Sequence, residues 1–235
     1  MKLANQVALV TGAGRGIGKA ISESLAAEGA TVVLASRTKS ELESLGRDIE
    51  AKGGKAAVSV VDVTDDRQVA RLFETIDREF GRLDILVNNA GRGFFAPVRE
   101  LPVQELDSMW NLNLRAVFVC TQHAVRRMEK QESGIIVQIS SLAGKNAFVG
   151  GSGYAATKWA LIGFSRSLML EVRKHNIRVV TVCPGSVDTS FSPHVHENSD
   201  KILSPEDVAD AVLAAVLISP RAMVSEIDIR PTNPK

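Results

Sequence analysis

Short apolar segments alternate with longer amphipathic segments along nearly the whole chain, and this alternation constrains the fold more than any other feature of the sequence. Most of the short segments are almost continuously apolar and rich in β-branched residues, as is typical of strands buried on both faces of a parallel sheet. The predicted strands are Val7–Val10, Thr31–Ala35, Ala56–Val61, Asp84–Val87, Gly134–Ile139, Ile177–Val182 and Ser225–Ile229.

Helical patterns fill the intervals between these strands. The predicted helices are 17–28, 39–52, 66–80, 104–131, 154–174 and 205–218. The last of them is preceded by Ser204, with Pro205 and Asp207 in its first turn, which predicts a capping box. Repeated strand–helix–strand units favour right-handed crossovers between parallel strands. The sequence therefore predicts a single α/β domain over residues 1–235, with a doubly wound, mainly seven-stranded parallel sheet between two layers of helices.

Two segments interrupt this alternation, one near 92–102 and one from 184 to 203. Both follow predicted strands, and open α/β sheets bind ligands beyond the carboxyl ends of their strands. Long irregular loops in compact domains are usually functional. We expect the second loop, at about 186–203, to form a lid over the substrate.

Charge and apolar patterning exclude several classes of partner. The chain has 28 basic and 27 acidic residues, a net charge of +1, which gives no electrostatic case for binding nucleic acid or an anionic membrane. No apolar run reaches the roughly 18 residues that a membrane span needs. The N-terminal residues lack the pattern of a secretion signal, and Cys120 and Cys183 lie in apolar segments, as expected of reduced core residues. The sequence predicts a cytoplasmic protein.

A glycine-rich turn joins the first predicted strand to the first helix. It contains Gly12, Gly14, Arg15, Gly16, Ile17 and Gly18. Glycines let the backbone approach a pyrophosphate, whose charge then lies at a helix N-terminus. No Lys-Ser/Thr pair ends the turn, which excludes a nucleoside triphosphatase P-loop. Taken alone, the motif leaves a purely structural turn open as an alternative.

The end of the second predicted strand indicates which dinucleotide the turn binds. An NAD site usually has an acidic residue there for the ribose 2′-hydroxyl, whereas this strand ends in Ser36 and Arg37. A guanidinium favours an adenosine 2′-phosphate. We therefore predict NADP(H) as the cofactor, with Arg37 as the phosphate clamp, Ser36 as a hydroxyl donor and Arg15 reaching from the turn. Lys39, Glu41 and Glu43 are interpreted as a solvated helix start.

The fifth predicted helix opens with Tyr154 and Lys158, whose spacing places both on one helical face. A free tyrosine has a pKa near 10. An ammonium about 4 Å away would favour the phenolate by roughly 4 kcal/mol at an effective dielectric near 20. We expect this neighbour to lower the tyrosine pKa toward the operating pH, where general acid–base catalysis is most effective. The same two residues also occur at this spacing by chance, so the pair is not decisive alone.

Further motifs occur in a fixed order along the chain. They are Asp62, Asn88-Asn89-Ala90-Gly91, Asn113, Ser141 and Pro184-Gly185. Together with the glycine-rich turn and Tyr154-x3-Lys158, this set resembles the short-chain dehydrogenase/reductase family over about residues 5–190. The resemblance implies a three-layer αβα Rossmann fold and assembly as a homodimer or homotetramer. A predicted helix 154–174 that is apolar around its whole circumference also favours a homo-oligomer.

The resemblance also implies a role for each catalytic position. Tyr154 would donate a proton to the substrate oxygen during reduction and accept it in the reverse direction. Lys158 would lower the tyrosine pKa and bind the nicotinamide ribose, and Ser141 would hold the carbonyl oxygen. Asn113 would bend its helix and hold a proton-relay water.

The cofactor contacts implied by the glycine-rich turn, the second strand and the family motifs extend along most of the chain. They are Gly12, Gly14, Arg15, Gly16, Ile17, Gly18, Ser36, Arg37, Asp62, Val63, Asn89, Ala90, Gly91, Tyr154, Lys158, Pro184, Gly185, Val187 and Thr189. Within this set the resemblance places Asp62 near the adenine and Thr189 at the carboxamide.

The predicted function is an NADP(H)-dependent carbonyl reductase that interconverts a small ketone or aldehyde and an alcohol. The resemblance leaves a 3-oxoacyl-[acyl-carrier-protein] reductase as an alternative, although its basic carrier-protein contacts fall here on Glu132 and His175. A non-catalytic NADP(H) sensor is an alternative of another class, and an epimerase or dehydratase of the family's longer branch is a third. His194 and His196 have no further ligands converging on them, so no metal site is predicted.

Overall fold

The computed structural model describes residues 1–191 and 202–232. Among these residues, seven parallel strands form one sheet in the order β3-β2-β1-β4-β5-β6-β7. The strands are β1 (Val7–Thr11), β2 (Thr31–Ser36), β3 (Lys55–Val60), β4 (Ile85–Asn88), β5 (Gly134–Ile139), β6 (Ile177–Pro184) and β7 (Glu226–Ile229).

Helices cover both faces of this sheet. They are α1 (Gly16–Ala27), α2 (Lys39–Ala51), α3 (Asp66–Phe80), α4 (Val103–Trp110), α5 (Val117–Gln131), α6 (Ser152–Val172) and α7 (Pro205–Leu217). One apolar core joins the sheet to α1, α2 and α7, and a second joins it to α3, α5 and α6. The predicted three-layer α/β fold with a seven-stranded parallel sheet is confirmed, and the strand boundaries differ from the prediction by at most two residues.

The predicted helix 104–131 is wrong as one regular helix. Its middle, Asn111–Ala116, is a π-helical segment between α4 and α5. A π-helical turn holds an extra residue, and such segments are frequent at functional sites. Here the extra residue turns the Asn113 side chain into the protein, where it is fully buried. Apolar periodicity continues through the segment, so the sequence pattern does not reveal it.

The chain changes winding direction between β1 and β4, which are neighbours in the sheet although β2 follows β1 in the chain. The Thr11 hydroxyl joins their carboxyl ends. It donates to the Val87 carbonyl at 3.3 Å and accepts from the backbone N–H groups of Asn89 and Ala90 at 3.0 and 3.1 Å. A crevice opens beyond such a switch point, and ligands of open α/β sheets bind there.

The predicted lid is described only at its two ends. Val187 and Leu203 pair as a parallel bridge, the Asp188 N–H donates to the Leu203 carbonyl at 2.8 Å, and the Leu203 N–H donates to the Ser186 carbonyl at 3.0 Å. Residues 192–201 of the lid lie outside the described residues. Within 1–191 and 202–232, none of the helices has the length and apolar character that crossing a bilayer requires.

Candidate active site

A cleft of about 1130 Å³ lies at the carboxyl ends of the strands. It exceeds the roughly 300–1,000 Å³ of a typical small-molecule pocket, which leaves room for a dinucleotide and a second molecule. All of the predicted site residues line it except Gly16, Gly18 and Asn113. Gly16 and Gly18 belong to the turn below it, and Asn113 lies behind its wall.

The glycine-rich turn has the shape that a pyrophosphate needs. Gly12 has a φ of +64°, and a Cβ on Gly18 would lie 2.2 Å from the Gly12 carbonyl oxygen, so α1 can approach the turn only with glycine at this position. Helix α1 begins at Gly16 without a side-chain cap, and its first turn carries no acidic residue. Its N-terminal N–H groups therefore fit an anionic ligand.

Two further predicted contacts are held in place by hydrogen bonds. The Asn89 side-chain amide donates to the carbonyl oxygens of Thr11 and Gly12, at 2.9 and 3.1 Å, and so fixes the turn against β4. The Asp62 carboxylate accepts from the Thr64 backbone N–H at 2.9 Å and from the Thr64 hydroxyl at 2.7 Å. Both residues line the cleft as predicted.

Ser36, Arg37 and Arg15 line one end of the cleft together, and so does Glu41. Glu41 was interpreted as a solvated residue of the helix start, and its side chain is partly exposed, at 34%. A Cβ on Gly14 would lie 2.6 Å from the Glu41 Oε2, and the Arg15 Nη1 is 3.9 Å from the Glu41 Oε1. Helix α2 begins at Lys39, so its first turn directs position 41 back over the glycine-rich turn.

Cofactor choice is predicted from the residues that end the second strand, whereas Glu41 lies further along the chain, in α2. Lys39 and Glu43, interpreted in the same way, do form an exposed ion pair at 3.4 Å.

Tyr154 and Lys158 lie in the first turns of α6, buried at 7% and 5% exposure. The Lys158 ammonium donates to the Ile139 carbonyl at 2.9 Å and lies 5.8 Å from the centroid of the Tyr154 ring. Ser141 follows β5, and its hydroxyl accepts from the Ala143 N–H at 3.1 Å. Strand β5 and helix α6 thus bring the three predicted catalytic side chains to one wall of the cleft.

Burial dominates the electrostatics of this wall. It raises the pKa of Tyr154 to about 12, although a hydrogen bond with the Ser141 side chain lowers that pKa in part. It also lowers the pKa of Lys158 to about 8. The expected lowering of the tyrosine pKa is therefore wrong for the site as it stands, because desolvation of the phenolate outweighs the other effects and the ammonium is directed at the Ile139 carbonyl.

The Asn113 side chain connects two parts of the site without lining the cleft. Its Oδ1 accepts from the Arg92 N–H at 2.9 Å. Its Nδ2 donates to the Arg92 carbonyl at 2.9 Å and to the Thr157 hydroxyl at 3.1 Å. Both ends of the amide are used by protein groups. The structure therefore places this side chain as a link between the loop after β4 and helix α6.

Three phenylalanines near Tyr154 were not predicted from the sequence. They are Phe95, Phe148 and Phe191, and all three line the cleft. Each lies in an irregular segment, where apolar residues follow no periodicity. Their only sequence signal was their position in loops that follow strand ends.

Among residues 1–191 and 202–232, no three or more histidine, cysteine, aspartate or glutamate side chains are grouped so as to hold a metal ion. His194 and His196, considered as ligands from the sequence, lie outside the described residues.

Comparisons with known proteins agree with this geometry. The family model described as short chain dehydrogenase matches residues 6–200. An uncharacterized oxidoreductase of Staphylococcus aureus is 36% identical over 229 residues, which cover 97% of this chain and 98% of the relative. A 3-oxoacyl-[acyl-carrier-protein] reductase of Thermotoga maritima is 37% identical over 223 residues, 91% of each chain.

A solved structure is also similar over nearly the whole length. It is a metagenomic short-chain oxidoreductase in complex with NADP, with a TM-score of 0.88, 37% identity and 99% of both chains covered. Its bound NADP supports the cofactor predicted from the sequence. The family match spans strands β1 to β6, the glycine-rich turn and the Tyr154–Lys158 helix. The chain therefore belongs to the short-chain dehydrogenase family of oxidoreductases.

Proposed function

We propose that this protein is an NADP(H)-dependent oxidoreductase that interconverts a ketone or aldehyde and the corresponding alcohol. The observation that carries the proposal is the position of the buried Tyr154, beside Ser141 and Lys158, on a cleft that also contains the glycine-rich turn. A proton donor and a dinucleotide site in one cleft suit the reduction of a carbonyl group.

Each side chain has a distinct role in reduction. The Ser141 hydroxyl donates a hydrogen bond to the substrate carbonyl oxygen, and the Tyr154 hydroxyl transfers a proton to that oxygen. The Lys158 ammonium stabilises the negative charge left on the phenolate. When bound, the nicotinamide supplies the hydride, which forms the new C–H bond as the C=O π bond breaks. In the oxidation direction the same proton returns to Tyr154.

Asn113 acts as a positioning residue. Because its amide joins the Arg92 backbone to the Thr157 hydroxyl, one residue before Lys158, it sets where the ammonium lies relative to the cleft. Its Oδ1 accepts one hydrogen bond from the protein, so a second lone pair remains for the proton-relay water that the resemblance implies.

The cofactor follows from the groups at the adenosine end of the cleft. Arg37 and Arg15 supply two guanidinium groups for a 2′-phosphate, and Ser36 supplies a hydroxyl. Charge-assisted hydrogen bonds from arginine to phosphate are among the strongest in proteins. The chain uses NADP(H) on this basis.

Replacing Tyr154 by Phe tests the proposal. The ring and its packing remain while the transferable proton is lost, so we expect the rate of NADPH oxidation with a reducible ketone to fall by at least about 100-fold. NADPH binding, followed by nucleotide fluorescence, should stay within twofold of the unmodified protein.

A retained rate would contradict the role of Tyr154. Absence of any turnover by the unmodified protein across ketones, aldehydes and keto esters, with NADPH still bound, would favour the non-catalytic sensor instead.

Reduction of a carrier-protein thioester is the second candidate, because the relative from Thermotoga maritima carries that name. The surface that would meet the carrier does not favour it. The His175 Nδ1 lies 2.9 Å from the Glu132 Oε1, and its Nε2 lies 3.7 Å from the Glu129 Oε1. Both ring nitrogens of His175 therefore already have carboxylate partners within the chain, which leaves less of this side chain for an acidic partner. A kcat/KM at least tenfold higher for the carrier-bound β-ketoacyl group than for a small thioester would establish this candidate.

The protein assembles as a homodimer or homotetramer in this proposal. An apolar groove on the outer surface of α4, α5 and α6 supports it, lined by Trp110, Leu114, Phe118 and Phe164. Phe118 is 49% exposed and Trp159 on the same helix layer is 55% exposed. Apolar surface of this kind marks protein contacts.

A further inference from the structure

Three aromatic rings surround the mouth of the cleft beside Tyr154, and we call Phe95, Phe148 and Phe191 the aromatic collar. The Phe95 ring lies 5.4 Å from the Tyr154 ring, edge to face at 77°. The Phe191 ring lies 5.8 Å from the Tyr154 ring, tilted by 56°. Phe148 extends the collar, with its ring 5.8 Å from that of Phe95.

Two glycines, Gly93 and Gly151, leave the space that these rings occupy. A Cβ on Gly151 would lie 2.2 Å from the Cζ of Phe148, and a Cβ on Gly93 would lie 2.8 Å from the Cζ of Phe95 and 3.0 Å from the Cε1 of Phe191. Any other residue at either glycine would displace a ring. The two loops that carry Phe95 and Phe148 are also joined, since the Ala96 N–H donates to the Gly150 carbonyl at 2.9 Å.

The collar is apolar yet open to solvent. Phe95, Phe148 and Phe191 are 43%, 47% and 40% exposed. Exposed aromatic surface at a cleft is typical of a ligand-binding groove, because a ligand that covers it removes the apolar area from water.

The nearby arginine does not provide a site for an anion. Arg92 lines the same cleft, but its guanidinium is 2.5 Å from the Glu105 carboxylate and donates to the Ser108 hydroxyl at 2.5 Å. This pairing neutralises its charge, so a carboxylate or phosphate on the substrate would gain little there.

We propose that the substrate is an uncharged ketone or aldehyde whose carbonyl carbon carries an aromatic ring, attached directly or through one or two bonds. The inference rests on the proposed function and adds the substrate class. A carbonyl oxygen at the Tyr154 hydroxyl places the substituent of the carbonyl carbon beside the collar. Ring centroids separated by 4.5–7 Å interact favourably in edge-to-face or offset arrangements, and the spacings around Tyr154 fall in that range.

A matched pair of esters tests the substrate class. Ethyl benzoylformate and ethyl pyruvate present the same ketone next to an ester, one with a phenyl ring and one with a methyl group. We expect kcat/KM with NADPH to be at least tenfold higher for the phenyl compound. The cyclohexyl analogue, of similar bulk but without π electrons, should fall between the two, and the benzoylformate anion should be the poorer substrate beside its ester.

Substitutions in the collar assign the preference to these rings. Phe95→Leu and Phe148→Leu keep apolar bulk and remove the aromatic face, so each should lower the ratio of kcat/KM for the two esters by about three- to tenfold. Val149→Ala is the control, because Val149 is adjacent to Phe148, 98% exposed and outside the lining of the cleft. It should leave the ratio unchanged.

The outcomes separate this inference from the proposed function. Equal kcat/KM for the two esters would overturn the aromatic substrate class and leave the carbonyl reductase in place. Equal slowing of both esters by the collar variants would do the same, since the rings would then only support the fold. Failure to reduce either ester or any other carbonyl compound, with NADPH bound, would overturn the proposed function and the inference with it.

Discussion

Lys158 is a buried cation whose charge depends on pH within the range of an ordinary assay. Burial lowers its pKa from the usual 10.5 to about 8, because the ammonium is transferred from water to the protein interior. In the proposed mechanism the neutral amine above that pH no longer stabilises a phenolate at Tyr154. The protonated tyrosine itself persists to much higher pH, since burial raises its pKa to about 12.

We therefore expect kcat/KM for ketone reduction to decline as the pH rises above about 8. The sign follows from the charge: below its pKa Lys158 is the ammonium that favours proton release from Tyr154, and above it this help is lost. Initial rates of NADPH oxidation at low ketone concentration, measured from pH 6 to 10, report the profile. A rate that is constant up to pH 10 would show that Lys158 does not act through its charge.

Glu41 places a negative charge beside Arg15, at the end of the cleft where we propose that the 2′-phosphate binds. Its carboxylate lies 3.9 Å from the Arg15 guanidinium, and it covers Gly14. An adenosine 2′-phosphate must share Arg15 with this carboxylate or displace it. The same carboxylate imposes no such competition on NADH, which has no 2′-phosphate.

Removing the negative charge of Glu41 and replacing the positive charge of Arg37 by a negative one should change the affinity for NADPH in opposite directions. Glu41→Gln should lower the Kd for NADPH about two- to fivefold, as expected for removal of a partly exposed charge. Arg37→Asp should raise it by about tenfold or more and shift the preference toward NADH. Both constants come from nucleotide fluorescence titrations.

Glu43→Gln is the matched control, because Glu43 is an exposed carboxylate of the same helix and pairs with Lys39. An unchanged Kd in Glu41→Gln would show that the carboxylate does not compete with the phosphate.

Some residues of the site could be predicted from the sequence and others could not. The glycine-rich turn and Tyr154 with Lys158 are local patterns whose spacing follows directly from helix and turn geometry. Glu41 and the aromatic collar come together only in three dimensions, from segments with no common spacing. The tyrosine pKa could not be predicted either, because it depends on burial, which a pair of residue types does not specify.

Helix α7 illustrates a boundary that local chemistry determines. The Ser204 N–H donates to the Asp207 carboxylate at 2.7 Å, and the Asp207 N–H donates to the Ser204 hydroxyl at 3.2 Å, which completes the predicted capping box. Both bonds satisfy backbone N–H groups that the start of a helix leaves without partners.

Ser204→Ala should therefore lower the free energy of unfolding by about 1 kcal/mol. For a chain of this size such a change corresponds to a decrease in Tm of roughly 2–4 °C. Thermal unfolding followed by circular dichroism measures it. Ser40→Ala, at an exposed position inside α2, should leave the Tm within 1 °C, and an equal loss in the two variants would contradict a capping role.

The π-helical segment at Asn111–Ala116 is the element that the sequence does not show. The elements around it are predicted from apolar runs and periodicity, because both report which faces are buried. A π-helical turn changes the number of residues per turn while the same face stays buried. Only the hydrogen bonds of Asn113 to Arg92 and Thr157 reveal why the helix widens there.

At the scale of the whole molecule, the layered architecture could be predicted because apolar strands that alternate with helices have few ways to bury both faces of a parallel sheet. The assembly of several chains is harder to predict, since the pattern shows which residues are apolar and not which of them face outward. The structure identifies the groove at Trp110, Leu114, Phe118 and Phe164 as apolar surface on the outer helices.

We expect Phe118→Asp to lower the mass of the proposed oligomer, because a carboxylate in an apolar contact between two copies would be taken out of water. Light scattering coupled to gel filtration at micromolar concentration gives the mass. Val98→Asp, which changes an exposed valine outside the groove, should leave the mass unchanged. A monomeric mass for the unmodified protein would overturn the proposed assembly.

The amide of Asn113 has a consequence for attempts to change the substrate. It ties the loop that carries Gly93 and Phe95 to the residue beside Lys158, through the hydrogen bonds of one side chain. Substitutions in that loop would then change kcat as well as KM for the substrate. A shift of the loop would also move helix α6, which carries the Lys158 ammonium.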